Sequence, residues 1–395
     1  MIVGVLKESC GDERRVSLVP AVLPLVKKAE LEVLVQRGAG EAAGLSDAQY
    51  EQAGAHLASD RGQLFAAADI ILCIHGLHLS CGAGPDNVDL LRPGQVVVGL
   101  LNPAGSPQAI RELAAKRVTA FALELLPRIA RAQPMDSLTS MASITGYRAA
   151  ILGASLLPKV YPMMITAAGT ITPARVLVIG AGVAGLEAIA TSRRLGAVVH
   201  AYDVRPAVKE QVESLGAKFL ELPLESSQAE ATSGYARAMG EEFYHRQQEM
   251  LAQAVGESDV VISTAAVPGK RAPILVTAAA VGRMRSGSVI IDLAAETGGN
   301  CELTRSGETV EVNGVSILGP RNLPSEVPYH ASQMVARNFS AFLQNLVKQG
   351  ELQLNLEDSI IRDTLVTHEG EVVNPRVREL LGLPASPSAP QAERS

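Results

Sequence analysis

Cysteine is scarce in this chain: 395 residues hold four, Cys10, Cys73, Cys81 and Cys301. That is too few for a disulfide framework and points to a reducing compartment. Long apolar runs are missing too. A membrane-spanning helix needs about 18 uncharged apolar residues. The best stretch, Ala149 to Ile171, is interrupted by Pro158, Lys159 and Pro162, so a soluble chain with no transmembrane segment is expected. The first residues, Met1 to Glu8, read as a strand followed by charge, with no basic n-region or small-residue cleavage site. No basic block offsets the formal net charge of −6, which argues against nucleic acid as a partner. What the chain does have is apolar material, 47% against 19% charged residues. It can bury substantial cores, and its length suits two domains better than one.

Two series of alternating strands and helices run along it. In the first, Ile2–Val5, Glu32–Gln36, Ile70–Ile74, Val96–Leu101 and Val118–Phe121 read as buried strands, with helices at Pro20–Ala29, Ser46–Ala53 and Pro107–Lys116. The second begins after Pro173. Its strands are Arg175–Ile179, Val198–Tyr202, Lys218–Leu222, Asp259–Ser263, Ser288–Asp292 and Val315–Leu318, and its helices Val183–Leu195, Pro206–Leu215 and Val276–Met284. Such alternation predicts right-handed βαβ units, parallel sheets and an α/β fold of two Rossmann-like domains. Pro223 to Gly256 interrupts the second series, small and polar around Ser226–Gly240 and then helical, a mobile-loop candidate. Ala331–Lys348 has helical apolar spacing, and the tail from Pro384 to Ser395 is rich in Pro, Ser and Ala and expected to be disordered.

The segment Arg175-Val-Leu-Val-Ile-Gly180-Ala-Gly182-Val-Ala-Gly185 is strand, glycine turn and helix. A lone G-x-G-x-x-G is a weak signal, but here it stands in the context a dinucleotide needs. Gly180 permits the tight turn, Gly182 lets backbone approach a pyrophosphate, and Gly185 lets the helix pack on the strand. The anion then faces N–H groups at the helix N-terminus. The following strand ends in Asp203. A carboxylate there accepts from both ribose hydroxyls and repels a 2′-phosphate, which favours NAD over NADP. Arg205, two residues on, complicates this reading because an arginine could pair a 2′-phosphate. The bland alternative is a glycine turn that holds no nucleotide.

Several segments resemble one small group of proteins. Gly4-Val-Leu-Lys-Glu8 followed by Arg15-Val-Ser-Leu-Val-Pro20 is similar to the start of alanine dehydrogenases and of proton-translocating transhydrogenases. Pro127-Arg128-Ile-Ala-Arg-Ala-Gln133-Pro-Met-Asp136, Gly146-Tyr-Arg148, Met164-Ile-Thr-Ala-Ala-Gly169-Thr, Lys209 to Ala217, Gly234-Tyr235-Ala, Pro268-Gly-Lys270, Gly287 to Ala294 and Gly298-Gly-Asn-Cys301 resemble the transhydrogenase version. The likeness runs from Met1 to about Pro375. It is strongest to the NAD(H)-binding portion of NAD(P) transhydrogenase that forms a separate first alpha subunit in three-chain bacterial enzymes.

That resemblance implies a discontinuous first domain, residues 1–140 with 328–383, and an NAD(H)-binding domain, 141–327, with a cleft between them. Ala331 onward would return to pack on residues before about Ala142. It implies an oxidoreductase of the Si-specific/Re-specific, proton-translocating class, active only with partners. Those partners would be a second copy of the chain, an NADP(H)-binding beta subunit and a membrane-spanning second alpha chain, at the cytoplasmic face of the bacterial inner membrane. Carried over by motif, Arg128, Gln133 and Asp136 serve the nicotinamide end, with Gln133 reaching toward NADP on the partner. Asp136 and Arg128 would fix the carboxamide and the ribose–phosphate region. Thr139 stands where the family usually has serine. Met135, Val183, Ala184, Val204, Gly234, Ala265 and Ala266 would also line the nucleotide, and Tyr235 would fold over it as a lid. Without the resemblance, the cluster around Gln133 reads equally as a solvated loop, and Tyr235 as an exposed loop residue.

Residue chemistry separates the two branches. Alanine dehydrogenation needs a cation for the substrate carboxylate and a group that carries protons. Where that branch has a lysine and a histidine, this chain has His75 and Asn102, and its active-site aspartate aligns with Glu296. Arg15 remains. Hydride transfer between two nicotinamides exchanges no proton and asks mainly for positioning and exclusion of water. Two other readings stay open: a stand-alone amino-acid dehydrogenase with His75 in place of lysine, and a catalytically silent NAD-binding regulatory domain. Cys73, His75, His78 and Cys81 are possible soft-metal ligands, but their spacing is not a zinc pattern, although Cys73 and His75 would share one strand face. His200 reads as a packed core residue. Met163 and Met164 read as filler near the interdomain cleft.

Overall fold

The structure is a computed structural model describing residues 1–9, 11–75, 87–221, 241–266 and 270–384. The chain divides into two units, Met1–Met141 together with Pro324 onward, and Ala142–Leu323.

The first unit is built on β1 (Ile2–Val5), β2 (Glu32–Gln36), β3 (His56–Ala58), β4 (Ile70–Cys73), β5 (Val96–Gly99) and β6 (Thr119–Ala122). All six pair in parallel. Two late strands, β18 (Leu365–His368) and β19 (Glu371–Val372), extend the sheet antiparallel beyond β6, giving the order β19-β18-β6-β5-β4-β1-β2-β3. Parallel strands covered on both faces need continuous apolar sequence, and β4, β5 and β6 are buried at every position. Around the sheet lie α1 (Leu23–Lys27), α2 (Asp47–Gln52), α3 (Arg61–Ala67) and α4 (Pro107–Ala115). Ser46 and Gln49 form a capping box on α2, and Asp60 caps α3 through the Gln63 N–H, each satisfying donors a helix start cannot pair internally. The chain returns to this unit as α10 (Pro328–Leu346), α11 (Ser359–Thr364) and α12 (Pro375–Leu380), with the small β16 (Val347–Lys348) and β17 (Glu351–Leu352) hairpin between α10 and α11. Phe342 of α10 meets Phe121 of β6 edge-on at 5.6 Å.

Helix α5 (Ser137–Leu156) carries the chain into the second unit. There β9 (Arg175–Ile179), β10 (Val198–Tyr202), β11 (Lys218–Phe219), β12 (Val260–Ser263), β13 (Val289–Asp292), β14 (Thr309–Val312) and β15 (Val315–Leu318) form one sheet, ordered β11-β10-β9-β12-β13-β15-β14. Only β14 runs antiparallel. One core lies between the sheet and α5 with α6 (Val183–Arg194) and α7 (Lys209–Ser214). The other lies under α8 (Glu241–Gly256) and α9 (Ala278–Val281). A separate hairpin, β7 (Met164–Thr166) with β8 (Gly169–Ile171), is exposed at every position.

Several expectations need correction. The helix expected over Val276–Met284 shrinks to α9, because Val276 bridges to Cys301 instead. Of the strand expected over Lys218–Leu222, β11 takes Lys218 and Phe219 and the Leu220 N–H still donates to the Ala201 carbonyl at 2.8 Å, while Leu222 lies outside the described residues. Met163 and Met164 are 60% and 41% exposed rather than packed, because they lead into a hairpin that stands off the sheet. Strand β4 ends at Cys73, so His75 lies in the bend beyond it rather than on a shared strand face. His200 is partly rather than fully buried, and desolvation with nearby Arg175 and Lys218 holds its pKa below the ordinary value.

Candidate dinucleotide site

In the second unit β9 lies between β10 and β12, where the strand order reverses. Open parallel sheets bind ligands outside the carboxyl ends of the strands at such a point. The glycine turn sits there. Gly180 has φ +96° and a Cβ on it would lie 2.7 Å from Thr264 Oγ1. A Cβ on Gly185 would stand 1.9 Å from the Gly180 carbonyl oxygen, so any side chain would push α6 off β9. Gly182 is the opposite case, since a Cβ there meets nothing within 4 Å. Open space therefore adjoins the first turn of α6, whose N–H groups have no intrahelical acceptors. In that turn Val183 is 41% exposed. Donors, positive helix end and unfilled space fit the pyrophosphate of a dinucleotide.

Asp203, just past β10, is held from two sides. Its Oδ2 accepts from the Ala181 N–H at 2.8 Å and from Arg205 Nη2 at 2.9 Å. Its Oδ1 accepts from the Arg205 N–H at 2.9 Å and Nε at 3.0 Å. The guanidinium that could have served a 2′-phosphate instead grips the acid that disfavours one, and the Ala181 bond ties that acid to the glycine turn. Val204, between them, is partly buried.

Past β12, Thr264 Oγ1 donates to the Gly180 carbonyl at 3.0 Å. Ala265 and Ala266 follow, the first half-buried and the second exposed. Behind them is a polar hub that the sequence reading missed. Fully buried Asp292 accepts from Ser263 Oγ at 3.0 Å and the Ala294 N–H at 3.1 Å. Its other oxygen accepts from the N–H groups of Asn300 and Cys301, at 2.8 and 2.9 Å, and from Thr304 Oγ1 at 2.7 Å. The available signal was the segment Gly298-Gly-Asn-Cys301, noted for its resemblance but given no chemistry. Glu296 is exposed on a short 3-10 turn.

In the first unit, Ala130–Met135 forms a 3-10 helix that leads into α5. Asp136 caps α5, its two oxygens accepting from the Thr139 N–H at 2.9 Å and Thr139 Oγ1 at 2.6 Å. The threonine hydroxyl thus holds Asp136. Met135 is buried, while Arg128, Gln133 and Thr139 are exposed. The segment is anchored from the C-terminal region of the chain: Asn338 Nδ2 donates to the Pro134 carbonyl at 2.8 Å, and Arg131 pairs with Asp358. Sequence reading missed both anchors, because their partners lie more than 200 residues away.

The carboxyl ends of β1, β4, β5 and β6 carry a second polar group. Buried Glu13 makes a two-pronged pair with Arg15, at 2.8 and 2.6 Å, and meets His75 Nε2 at 2.9 Å. Arg15 and His75 pull the Glu13 pKa down despite its burial. Glu13 in turn raises that of His75 against desolvation. Desolvation pushes Glu8 up to about 7. Asn102, at φ +48°, accepts from the Gly105 N–H at 3.2 Å within its own turn. Among the described residues no group of His, Cys, Asp and Glu could hold a metal ion. Cys10, His78, Cys81, Gly234 and Tyr235 lie outside the described residues.

By class, then, this is a doubly wound α/β protein with a dinucleotide loop at its switch point. The sequence pattern of the alanine dehydrogenase/PNT N-terminal domain matches residues 4–145, and that of the C-terminal domain matches residues 149–375. The first of the separate alpha-subunit chains of NAD(P) transhydrogenase from Rhodospirillum rubrum is 44% identical over 378 residues, 95% of this chain and 98% of that one. The crystal structure of transhydrogenase from Sinorhizobium meliloti superposes with a TM-score of 0.82 at 38% identity, covering 95% of this chain and 100% of that one. An L-alanine dehydrogenase superposes with a TM-score of 0.80 at 27% identity, covering 97% and 99%. The chain belongs to the alanine dehydrogenase/PNT family, and within it to the branch of NAD(P) transhydrogenase alpha subunits.

Proposed function

We propose that this chain binds NAD(H) for a proton-translocating NAD(P) transhydrogenase and acts in direct hydride transfer to NADP⁺ held by a partner subunit. The observation that carries this reading is a complete dinucleotide loop together with a first unit that has His75 and Asn102 where an alanine dehydrogenase has a lysine and a histidine. His75 is bound to Glu13, and Asn102 closes its own turn. Asn102 has no titrating group to carry protons for an amino-acid substrate, and the lysine that would take such a substrate's carboxylate is absent.

In this reading the α6 N-terminus receives the pyrophosphate and Asp203, set by Arg205 and Ala181, takes the ribose hydroxyls. Bound NADH would supply the hydride from its nicotinamide ring. Arg128, Gln133, Asp136 and Thr139 orient that ring, a role supported by their match to the transhydrogenase motif and by the anchoring of their segment. Gly234 and Tyr235 enter on the resemblance alone. The partners would be an NADP(H)-binding beta subunit and a membrane-spanning second alpha chain, at the cytoplasmic face of a bacterial inner membrane. Among the described residues no helix is long and apolar enough to cross a membrane. A homodimer belongs to the same reading. The hairpin residues Met163, Met164, Ile165 and Ile171, 41% to 78% exposed, are an apolar surface that a second copy could cover.

The test is a mixing assay of purified chain with NADP-loaded partner domain. Deuterium from C4-labelled NADH should appear in NADPH with none lost to water. The chain alone should neither oxidise alanine nor reduce pyruvate with ammonium. Gln133→Ala should cut the transfer rate far more than it weakens NADH binding, since its role lies in ring geometry. Alanine oxidation by the isolated chain would instead favour an amino-acid dehydrogenase.

A further inference from the structure

Asn300 is the residue through which the buried Asp292 reaches the candidate nucleotide site. Its Oδ1 accepts from the Ala265 N–H at 3.0 Å, and its Nδ2 donates to the Ala265 carbonyl at 2.8 Å. One amide side chain thus meets both polar groups of one residue's backbone, as a neighbouring strand would. The second Nδ2 proton goes to the Pro273 carbonyl at 2.9 Å, so a single side chain staples the two ends of the 265–273 segment. Asn300 is itself fully buried, and its backbone N–H donates to Asp292. Strand β12 pairs with β9 up to Ser263 and Ile179, and the next residue, Thr264, is bonded to Gly180. The line from Asp292 through Asn300 to Ala265 therefore ends one residue from the contact that fixes the glycine turn.

We infer that Asn300 is a positioning residue for NAD(H): it holds the Ala265–Ala266 backbone against the glycine turn at the carboxyl end of β12. The inference rests on the dinucleotide reading of this unit. An amide is required because the task needs an acceptor and two donors on one planar group. Aspartate would present a second carboxylate to the Ala265 and Pro273 carbonyl oxygens, and alanine would take the side-chain partner from three backbone groups.

The experiment compares the full-length chain with Asn300→Ala, Asn300→Asp and Thr304→Val. The last removes one hydrogen bond to Asp292 but leaves the Asn300 amide in place. Melting temperature, NADH affinity by fluorescence and amide exchange over residues 264–266 are read on each. The wild-type Ala265 amide should exchange slowly without nucleotide. Both Asn300 variants should speed that exchange and weaken NADH at least tenfold, while Thr304→Val lowers the melting temperature yet keeps affinity within about twofold. Rapid wild-type exchange at Ala265 would overturn the inference even if no Asn300 variant folds. So would a folded Asn300 variant with wild-type affinity, or an equal loss of affinity in Thr304→Val. Failure of the wild-type chain to bind NADH would instead overturn the dinucleotide reading, and this inference with it.

Discussion

Asp203 and Arg205 form a two-pronged pair at 3.0 and 2.9 Å, and Arg205 keeps only 20% side-chain exposure. An arginine engaged in this way stiffens the acid rather than opposing it. NADH should therefore bind much more tightly than NADPH. Asp203→Ala removes a charge-assisted acceptor worth about 1.5–3 kcal/mol and releases the guanidinium, so NADH should weaken by roughly one to two decades while NADPH gains. Titration of both nucleotides checks this, and equal affinities in the unaltered chain would defeat it. Elsewhere, the Glu8 carboxyl is desolvated and its pKa rises from 4.5 to about 7. A raised acid pKa means the folded chain holds a proton the unfolded chain has released. Its contribution is complete below pH 4.5 and disappears as pH rises through 7. His75, also raised, acts in the same direction. Glu8→Gln should accordingly flatten the fall in thermal stability between pH 5 and pH 8. The gain at the upper end should be about 1–3 kcal/mol, discounted for the residue's partial exposure. A stability profile unchanged by Glu8→Gln would show that the carboxyl is not the titrating group.

At the scale of elements, legibility followed burial. Strands β1, β2, β4, β5, β9, β10, β12 and β13 are short apolar runs, and all were readable because parallel strands covered on both faces tolerate little else. Strand β18 was not. Its Leu-Val-Thr-His sequence owes its place to Thr367 Oγ1 donating to the Val118 carbonyl at 2.7 Å and to His368 Nδ1 lying 3.1 Å from Thr119 Oγ1. These partners are 249 residues away in sequence. Helix α5 was also missed, since its small and apolar residues recur on every side and leave no amphipathic stripe. Its Gly146 explains some of that composition. A Cβ there would lie 2.0 Å from the Ala184 carbonyl oxygen in the first turn of α6. Gly146→Ala should push α6 and its N-terminal N–H groups out of line, costing about 1–3 kcal/mol as an overpacked contact and weakening NADH as well. Unfolding curves and nucleotide titrations of that variant should move together. Wild-type behaviour in both would mean that the helices can separate without consequence.

For the whole molecule, the first unit is assembled from both ends of the sequence. Its central strands are supplied before Met141, but β18 and β19 complete the sheet, and α10 contributes Phe339, Phe342 and Leu343, all fully buried. A chain ending near Val327 would expose the β6 edge and the apolar face under α10, an aggregation-prone arrangement. It should lose the cooperative unfolding of the first unit and become largely insoluble. Removing only residues 385–395 should change neither solubility nor melting temperature. A soluble, cooperatively folding product from the first truncation would show that the C-terminal return is dispensable.

The sequence alone determined the α/β class, the glycine loop with its acid, and the family branch. Each is written in contiguous residues whose spacing matches one turn or one strand. It could not determine what stands behind them. That Arg205 grips Asp203, that Glu13 holds both Arg15 and His75, and that Asn338 and Asp358 anchor the segment carrying Gln133 were decided only by the tertiary structure. A buried polar group must find its partner wherever the fold brings a donor or acceptor within about 3 Å, and no local pattern records which distant residue that will be.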